Sequence, residues 1–174
     1  MITIPYPAVA RSLTLDYDGP RWTAPHEVQA LCWLAKDATG GVLEIGCNAG
    51  RTLRELALAC PQRPCLGIDY TGPDGGMCGA QANERPAPGR LGAHARDLAN
   101  VQLADLRSRD LLPLLRLKPR IGMIFIDGNH TYEGVKADTE LAFDYFAERG
   151  TAGVIAWHDC YENGPESVLR ACGS

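Results

Sequence analysis

Short apolar runs alternate with helical patterns along most of the chain. Five runs have the length and apolar character of buried strands, at about residues 42–45, 65–68, 101–104, 121–126 and 152–157. Apolar residues spaced three and four positions apart predict helices at about 25–39, 53–60, 91–98, 108–115 and 132–147, and a short one at 166–171. Thr23 is the candidate N-cap of the first helix. This alternation predicts an α/β fold with a doubly wound parallel sheet and right-handed crossovers.

The stretch 70–92 differs from the rest of the chain because glycine and proline recur along it. Such a composition resists a long helix and predicts a loop up to the short helix at 91–98. Loops of this length inside a compact domain are usually functional, so the stretch is a candidate lid over a ligand.

Length and charge narrow the class of protein. The 174 residues suit one domain with a single core. With 17 basic and 21 acidic residues, neither nucleic acid nor an anionic membrane is an expected partner. Residues 1–19 lack a basic n-region and contain Pro5 and Pro7, so we expect no signal peptide or membrane span and, by default, a cytoplasmic location. The seven cysteines form no Cys-x-x-Cys pair, which argues against a zinc knuckle or a closed disulfide framework.

The first apolar run ends in a glycine motif. Glu44, Gly46 and Gly50 form Glu-x-Gly-x-x-x-Gly before a helix, and the second apolar run stops at Asp69, 23 residues after Gly46. This layout is typical of a βαβ unit that binds a nucleoside. Asn48 stands where a dinucleotide site needs its second glycine, which disfavours a nicotinamide-dependent oxidoreductase. Because Glu44 would repel a diphosphate and attract an ammonium group, we predict a positively charged, adenosine-containing cofactor.

Ligands of open α/β sheets bind beyond the carboxyl ends of the strands. Seven acidic or histidine side chains follow the predicted strands at these ends: Glu44, Asp69, Asp105, Asp127, His130, His158 and Asp159. The first three belong to the cofactor half and the last four to the half that would bind an acceptor. An aspartate at a strand end can also cap a helix, and for Asp105 that alternative stays open.

The glycine motif resembles motif I of the class I S-adenosylmethionine-dependent methyltransferases. The segments 125–138 and 156–160 resemble one branch of that class, the small bacterial O-methyltransferases related to macrolide-sugar and cephalosporin-cluster methyltransferases. The resemblance extends from about residue 41 to residue 160 and implies a Rossmann-like fold that binds S-adenosylmethionine. It implies that Gly46 and Gly50 line the methionine part, that Asp69 holds the ribose hydroxyls and that Asp105 reads the adenine amino group. The candidate cofactor-binding residues are thus Glu44, Gly46, Asn48, Gly50, Asp69 and Asp105.

For the acceptor half, the resemblance implies that Asp127 and Asp159 are metal-ligand candidates and that His130 is the candidate base. His158 departs from the family pattern, because metal-binding members have a carboxylate there. Mg²⁺ prefers oxygen ligands, whereas Mn²⁺, Fe²⁺ or Zn²⁺ tolerates an imidazole. Two hypotheses stay open: a divalent metal (Mg²⁺ or Mn²⁺) at Asp127, His158 and Asp159, or a metal-free site in which Asp127 orients His130.

The predicted organisation is a single class I methyltransferase-like domain over residues 1–174. Residues 1–40 form an N-terminal segment with the leading helix, 41–118 the cofactor half and 119–174 the acceptor half. The class I fold normally ends with two further strands that this sequence does not show, so we expect a truncated chain or a homo-oligomer that covers the sheet edge.

The predicted function is methyl transfer to a hydroxyl group of a small molecule, a sugar or a phenolic metabolite, with His130 and Asp127 as catalytic residues. The alternative is a non-catalytic, cofactor-binding or structural subunit that keeps the methyltransferase fold.

Overall fold

The structure, a computed structural model, describes residues 23–72, 89–116 and 118–159. These residues form a five-stranded sheet with helices on both faces. The strands are β1 (Gly41–Ile45), β2 (Cys65–Asp69), β3 (Val101–Asp105), β4 (Ile121–Ile126) and β5 (Val154–Trp157). The helices are α1 (Pro25–Asp37), α2 (Arg51–Ala59), α3 (Leu111–Arg116) and α4 (Tyr132–Arg149), and a 3₁₀ turn (Ser108–Asp110) precedes α3.

The strand order is β3-β2-β1-β4-β5, and every pairing is parallel. β1 lies at the centre, where the chain first builds outwards through β2 and β3 and then crosses to β4 and β5. The doubly wound parallel sheet predicted from the sequence is confirmed, and β1 and β4 flank its topological switch point, where such folds bind ligands.

Alternate residues of the central strands pack into two separate cores. Val42 of β1 and Phe125 of β4 belong to the core under α1 and α2, whereas Leu43 and Ile124 belong to the core under α3 and α4. Successive side chains of a strand point to opposite faces, so a strand covered on both faces has to be apolar throughout. This explains the uninterrupted apolar run of β4, all six residues of which are buried.

The start of α1 differs from the sequence-based prediction. The N-cap is Ala24, whose extended backbone precedes Pro25, and the carboxylate of Glu27 accepts a hydrogen bond from the backbone N–H of Ala24 at 2.7 Å. The prediction of Thr23 as N-cap was wrong by one residue. Proline favours the first helical position and holds the residue before it in an extended conformation, which makes that residue the cap. Thr23 is buried instead and accepts a hydrogen bond from the Thr52 hydroxyl at 3.3 Å.

The predicted helix at 91–98 was also wrong, because these residues form successive turns. Gly92 has φ +60, in the left-handed region, and a Cβ atom there would lie 2.4 Å from the side chain of Leu103. A glycine in that conformation breaks a helical path, and here it also allows close packing on β3.

Several predictions concern residues outside the described ranges. They are the central part of the glycine- and proline-rich loop at 73–88, the short helix at 166–171 and the absence of the last two strands. None of the described helices is both long and apolar enough to cross a membrane.

Candidate functional site

The glycine loop between β1 and α2 lies at the carboxyl edge of the sheet. Gly46 has φ +88, and a Cβ atom on it would lie 2.1 Å from the carbonyl oxygen of Asp127. Gly50 has φ +80 and is the N-cap of α2. Only glycine fits these two positions, since both require a left-handed backbone and Gly46 also requires direct contact with the chain after β4. The loop is therefore fixed against the acceptor half of the sheet.

Asp69 holds this loop from the neighbouring strand. Its Oδ2 accepts a hydrogen bond from the backbone N–H of Asn48 at 2.8 Å, and its Oδ1 accepts one from Tyr70 at 2.7 Å. Asn48 has φ +44, a left-handed conformation that asparagine tolerates better than most residues. Burial raises the pKa of Asp69, although the two backbone hydrogen bonds oppose that shift. The predicted ribose-binding acid thus lies beside the loop predicted to hold the rest of the cofactor.

Glu44 is a buried carboxylate beside this loop. Its side chain is only 2% exposed, and Oε2 has no hydrogen-bond partner among the described residues. Burial raises the pKa of Glu44 well above its ordinary value, and the nearby charges of Asp127 and Asp69 raise it further. An isolated buried carboxylate is unfavourable, so this site favours a ligand that brings a positive charge or a hydrogen-bond donor.

Asp105 follows the same edge at the end of β3. Its two carboxylate oxygens accept hydrogen bonds from the backbone N–H and the hydroxyl of Thr71. Close by, the Arg107 guanidinium lies 4.4 Å from the centre of the Tyr70 ring. The structure therefore brings Asp105 to the predicted cofactor half, where it joins the segments that follow β2 and β3.

The acceptor half brings four titratable side chains together. His158 Nδ1 lies 3.1 Å from Oδ1 of Asp127 and 3.2 Å from Oδ1 of Asp159. His130 Nε2 lies 3.4 Å from Oδ1 of Asp127, and His130 Nδ1 lies 3.4 Å from Oδ2 of Asp159. Sheet register explains part of this: Ile126 pairs with Trp157, so the residues that follow them, Asp127 and His158, emerge side by side.

The side chains of this cluster shift one another's pKa values. The pKa of His130 is raised mainly by its contact with Asp127. Burial lowers the pKa of His158, but the carboxylates of Asp127, Asp159 and Glu27 outweigh it and raise that pKa to about 9. Burial likewise raises the pKa of Asp127, but the two imidazoles outweigh it and lower that pKa below its ordinary value. The carboxylates thus favour the protonated form of both imidazoles, and the imidazoles favour the charged form of Asp127.

Three of these residues could hold a metal ion. One donor atom each from Asp127, His130 and His158 lie within 4.8 Å of one another. His158 Nδ1 is buried and lies within 3.2 Å of a carboxylate oxygen of both Asp127 and Asp159. Oδ1 of Asp127 lies 3.1 Å from Nδ1 of His158 and 3.4 Å from Nε2 of His130, so the carboxylate brings the two imidazoles to one point. One carboxylate and two imidazoles fit Mn²⁺ or Zn²⁺ better than Mg²⁺. Asp159, also a predicted ligand, lies against both imidazoles.

Two residues of the site were not recognised from the sequence. Oε2 of Glu27, in the first turn of α1, lies 3.9 Å from Nε2 of His158. An acid in a first turn has an ordinary explanation as a helix cap, so no sequence signal pointed to this contact. Asp138 is buried in α4 close to Gly128. The sequence did contain a signal for Asp138, because this acidic residue lies on the apolar stripe of a helix together with Val135 and Leu141.

Comparison with known proteins identifies the family. The family model described as "Methyltransferase domain" matches residues 43–160. A search of curated proteins found no match. Among solved structures, the calicheamicin methyltransferase CalS11 has a TM-score of 0.61 at 20% identity, over 86% of this chain and 71% of that chain. Cofactor-bound Rv0187 from MTB has a TM-score of 0.56 at 24% identity, over 89% of this chain and 71% of that chain. An O-methyltransferase from Bacillus cereus in complex with SAH has a TM-score of 0.55 at 18% identity, over 86% of this chain and 68% of that chain.

The sheet order and the site at its carboxyl edge define a class I methyltransferase fold. The chain belongs to the methyltransferase-domain family, whose model covers more than half of it. The prediction of a class I S-adenosylmethionine-dependent methyltransferase is thereby confirmed at the level of family and fold.

Proposed function

We propose that this protein transfers a methyl group from S-adenosylmethionine to a hydroxyl group of a small molecule, with His130 as the base. The observation that carries the proposal is the pairing of His130 with Asp127 at the switch point of the sheet. A carboxylate that contacts one nitrogen of an imidazole orients the ring and favours the tautomer that carries its proton on that nitrogen.

The acidic side chains beside the glycine loop support the proposed cofactor. Glu44 and Asp69 lie near the ends of β1 and β2, beside the glycine loop, and Asp127 follows β4. Burial and the charges of Asp127 and Asp69 raise the pKa of Glu44. A sulfonium compound that also carries an ammonium group brings positive charge to these carboxylates, whereas a diphosphate would be repelled. Asp69, at the end of β2 beside the glycine loop, is the proposed acceptor of hydrogen bonds from the two ribose hydroxyls.

Methyl transfer depends first on alignment. The acceptor oxygen attacks the methyl carbon in line while the positive charge on sulfur disappears, so the enzyme mainly has to hold the two reactants. Near-attack geometry, with reacting atoms ~3 Å apart, can supply roughly 7–11 kcal/mol. The contact of Gly46 with the Asp127 carbonyl fixes the cofactor loop relative to the acceptor half, which is what alignment requires.

An alcohol becomes a good nucleophile only when its proton leaves. With Nε2 of His130 facing Asp127, Nδ1 on the Asp159 side is the nitrogen that takes the hydroxyl proton. A base in this position contributes about 10²- to 10⁴-fold to the rate. A divalent ion held by Asp127, His130 and His158 would instead supply Lewis acidity that lowers the pKa of a bound hydroxyl group.

Sugars and phenolic metabolites are the proposed acceptor classes. CalS11 is described as a TDP-rhamnose 3'-O-methyltransferase, and TomG from Streptomyces achromogenes as an O-methyltransferase involved in tomaymycin synthesis. These proteins share the fold of this chain, and a hydroxylated small molecule suits a site that offers a base beside the cofactor loop.

Thermal unfolding with S-adenosylmethionine and with S-adenosylhomocysteine tests the cofactor. Either ligand at about 100 times its dissociation constant should add roughly 2.7 kcal/mol to the free energy of unfolding. Unchanged melting with both compounds would overturn the proposal. A panel of hydroxylated compounds then tests turnover, and cofactor binding without methylation of any of them would favour the non-catalytic subunit.

A further inference from the structure

Helix α4 has two polar side chains on the face that it buries. Asp138 is 3% exposed and Thr139 is 9% exposed, on the same helix as the core residues Leu141 and Tyr145. A buried carboxylate is unfavourable unless it makes specific contacts, so the surroundings of this pair bear on its role.

Asp138 lies directly under the loop that leaves β4. A Cβ atom on Gly128 would be 3.2 Å from Oδ2 of Asp138, so the backbone of Gly128 lies close to the carboxylate. The Ser108 side chain, in the 3₁₀ turn after β3, hydrogen-bonds the same carboxylate. Gly128 is the neighbour of Asp127 and lies two residues before His130. Asp138 therefore supports the loop that carries the proposed base.

Thr139 makes the corresponding contact with the end of β5. Its hydroxyl donates to the carbonyl oxygen of Val135 at 2.7 Å and accepts a hydrogen bond from Nε1 of Trp157 at 2.9 Å. Trp157 is the last residue of β5 and immediately precedes His158. Because the hydroxyl is already directed by its bond to Val135, its lone pair has a fixed direction towards the indole.

We propose that Asp138 and Thr139 are positioning residues that set the distance between the loop of His130 and the loop of His158. The inference rests on the proposed function, in which His130 is the base. The two imidazoles contact the same carboxylates, Asp127 and Asp159, only while these loops keep their separation. A displacement of 1 Å at such a site can cost about 100-fold in rate. Adjacent residues on one rigid helix are suited to this role, since their spacing is fixed by the helix itself.

Imidazole resonances provide a test that does not depend on knowing the acceptor. The chain has four histidines, so their signals can be assigned with single His→Asn variants. Spectra of the full-length protein with EDTA would be compared for Asp138→Ala and Thr139→Val. The matched controls are Asp138→Asn, which keeps the size and an oxygen acceptor, Thr139→Ser, which keeps the hydroxyl, and Asp144→Ala, an exposed residue of the same helix.

We expect Asp138→Ala to shift the signals of His130 and Thr139→Val to shift those of His158, with the conservative variants close to wild type. Calorimetry should show unchanged binding of S-adenosylhomocysteine, while turnover of a hydroxylated acceptor falls about 10- to 100-fold through kcat rather than KM. Unchanged imidazole signals in both variants would overturn the inference. If one variant fails to fold, the imidazole signals of the other variant still test the inference. If the wild-type protein itself did not bind S-adenosylhomocysteine, that result would instead contradict the proposed function.

Discussion

Asp69 shows how one side chain serves both the loop and the proposed ligand. Its two oxygens hold the backbone of Asn48 and Tyr70, so the loop depends on it before any cofactor binds. We expect Asp69→Ala to weaken S-adenosylhomocysteine binding at least 10- to 100-fold, because hydrogen bonds to a charged group contribute about 1.5–3 kcal/mol each. Titration calorimetry measures this, with the exposed Asp37→Ala variant as the control. Equal affinity in both variants would contradict the role of Asp69.

His130 should behave in the opposite way. We expect His130→Ala to keep cofactor affinity and to lower kcat about 10²- to 10⁴-fold, with the exposed His26→Ala as the control.

A base has to be neutral to accept a proton, and contact with Asp127 raises the pKa of His130 above 6.5. The wild-type rate should therefore rise with pH through a pKa above 6.5, and a rate that falls over this range would rule out His130 as the base.

At the scale of elements, α4 connects the start of β4 with the loop that carries His130. Its N-cap, Thr131, accepts a hydrogen bond from the backbone N–H of Gly134 at 3.1 Å, so the helix begins directly after His130. At its other end, the hydroxyl of Tyr145 accepts a hydrogen bond from the backbone N–H of Ile121 at 2.8 Å, at the start of β4. The helix thus contacts β4 at one end and the chain that follows β4 at the other.

The buried charge on α4 has a measurable effect on stability. Burial raises the pKa of Asp138 to about 6, although the Ser108 hydrogen bond opposes it. The unfolded chain releases this proton near its ordinary pKa of about 4, so the free energy of unfolding falls as pH rises from about 4 to about 6. Asp138→Asn lacks this loss, so its free energy of unfolding relative to that of the wild type should rise by about 2–3 kcal/mol over that window. Urea unfolding at several pH values measures it, and a difference independent of pH would contradict the prediction. Asp144→Asn is the control.

At the scale of the whole molecule, the strand order brings two distant parts of the sequence to one edge. β1 lies between β2, which ends in Asp69, and β4, which is followed by Asp127. The close approach of Gly46 to the Asp127 carbonyl joins the cofactor half to the acceptor half. The site therefore exists only when the entire sheet is formed.

The assembled donor set leads to a prediction about metals. After treatment with EDTA and its removal, Mn²⁺ should raise the melting temperature more than Mg²⁺ does, because two of the three donors are imidazoles. His158→Ala should lose the Mn²⁺ effect while keeping that of S-adenosylhomocysteine. An equal or larger shift with Mg²⁺ would contradict the prediction, and no shift with either ion would leave the metal-free mechanism with His130 as base.

Much of the fold followed from local patterns. Four of the five strands lie within one residue of their predicted bounds, and β5 starts two residues later than predicted, at Val154. Uninterrupted apolar runs mark strands covered on both faces, and the acids after them mark the carboxyl edge. The wrong predictions also have local causes. The N-cap of α1 is Ala24 and not Thr23, because Pro25 begins the helix. Residues 91–98 form turns and not a helix, because Gly92 has a left-handed backbone.

The sequence by itself determined the class of fold, the cofactor loop and the titratable residues at the strand ends, because side-chain periodicity and glycine geometry are properties of neighbouring residues. Only the tertiary structure decided which of those residues meet. Glu27 and His158 are far apart in sequence and 3.9 Å apart in space, and Asp138 contacts Gly128 across a helix–loop junction. Such contacts depend on strand order, register and helix packing together, and those are set by the burial of the whole core.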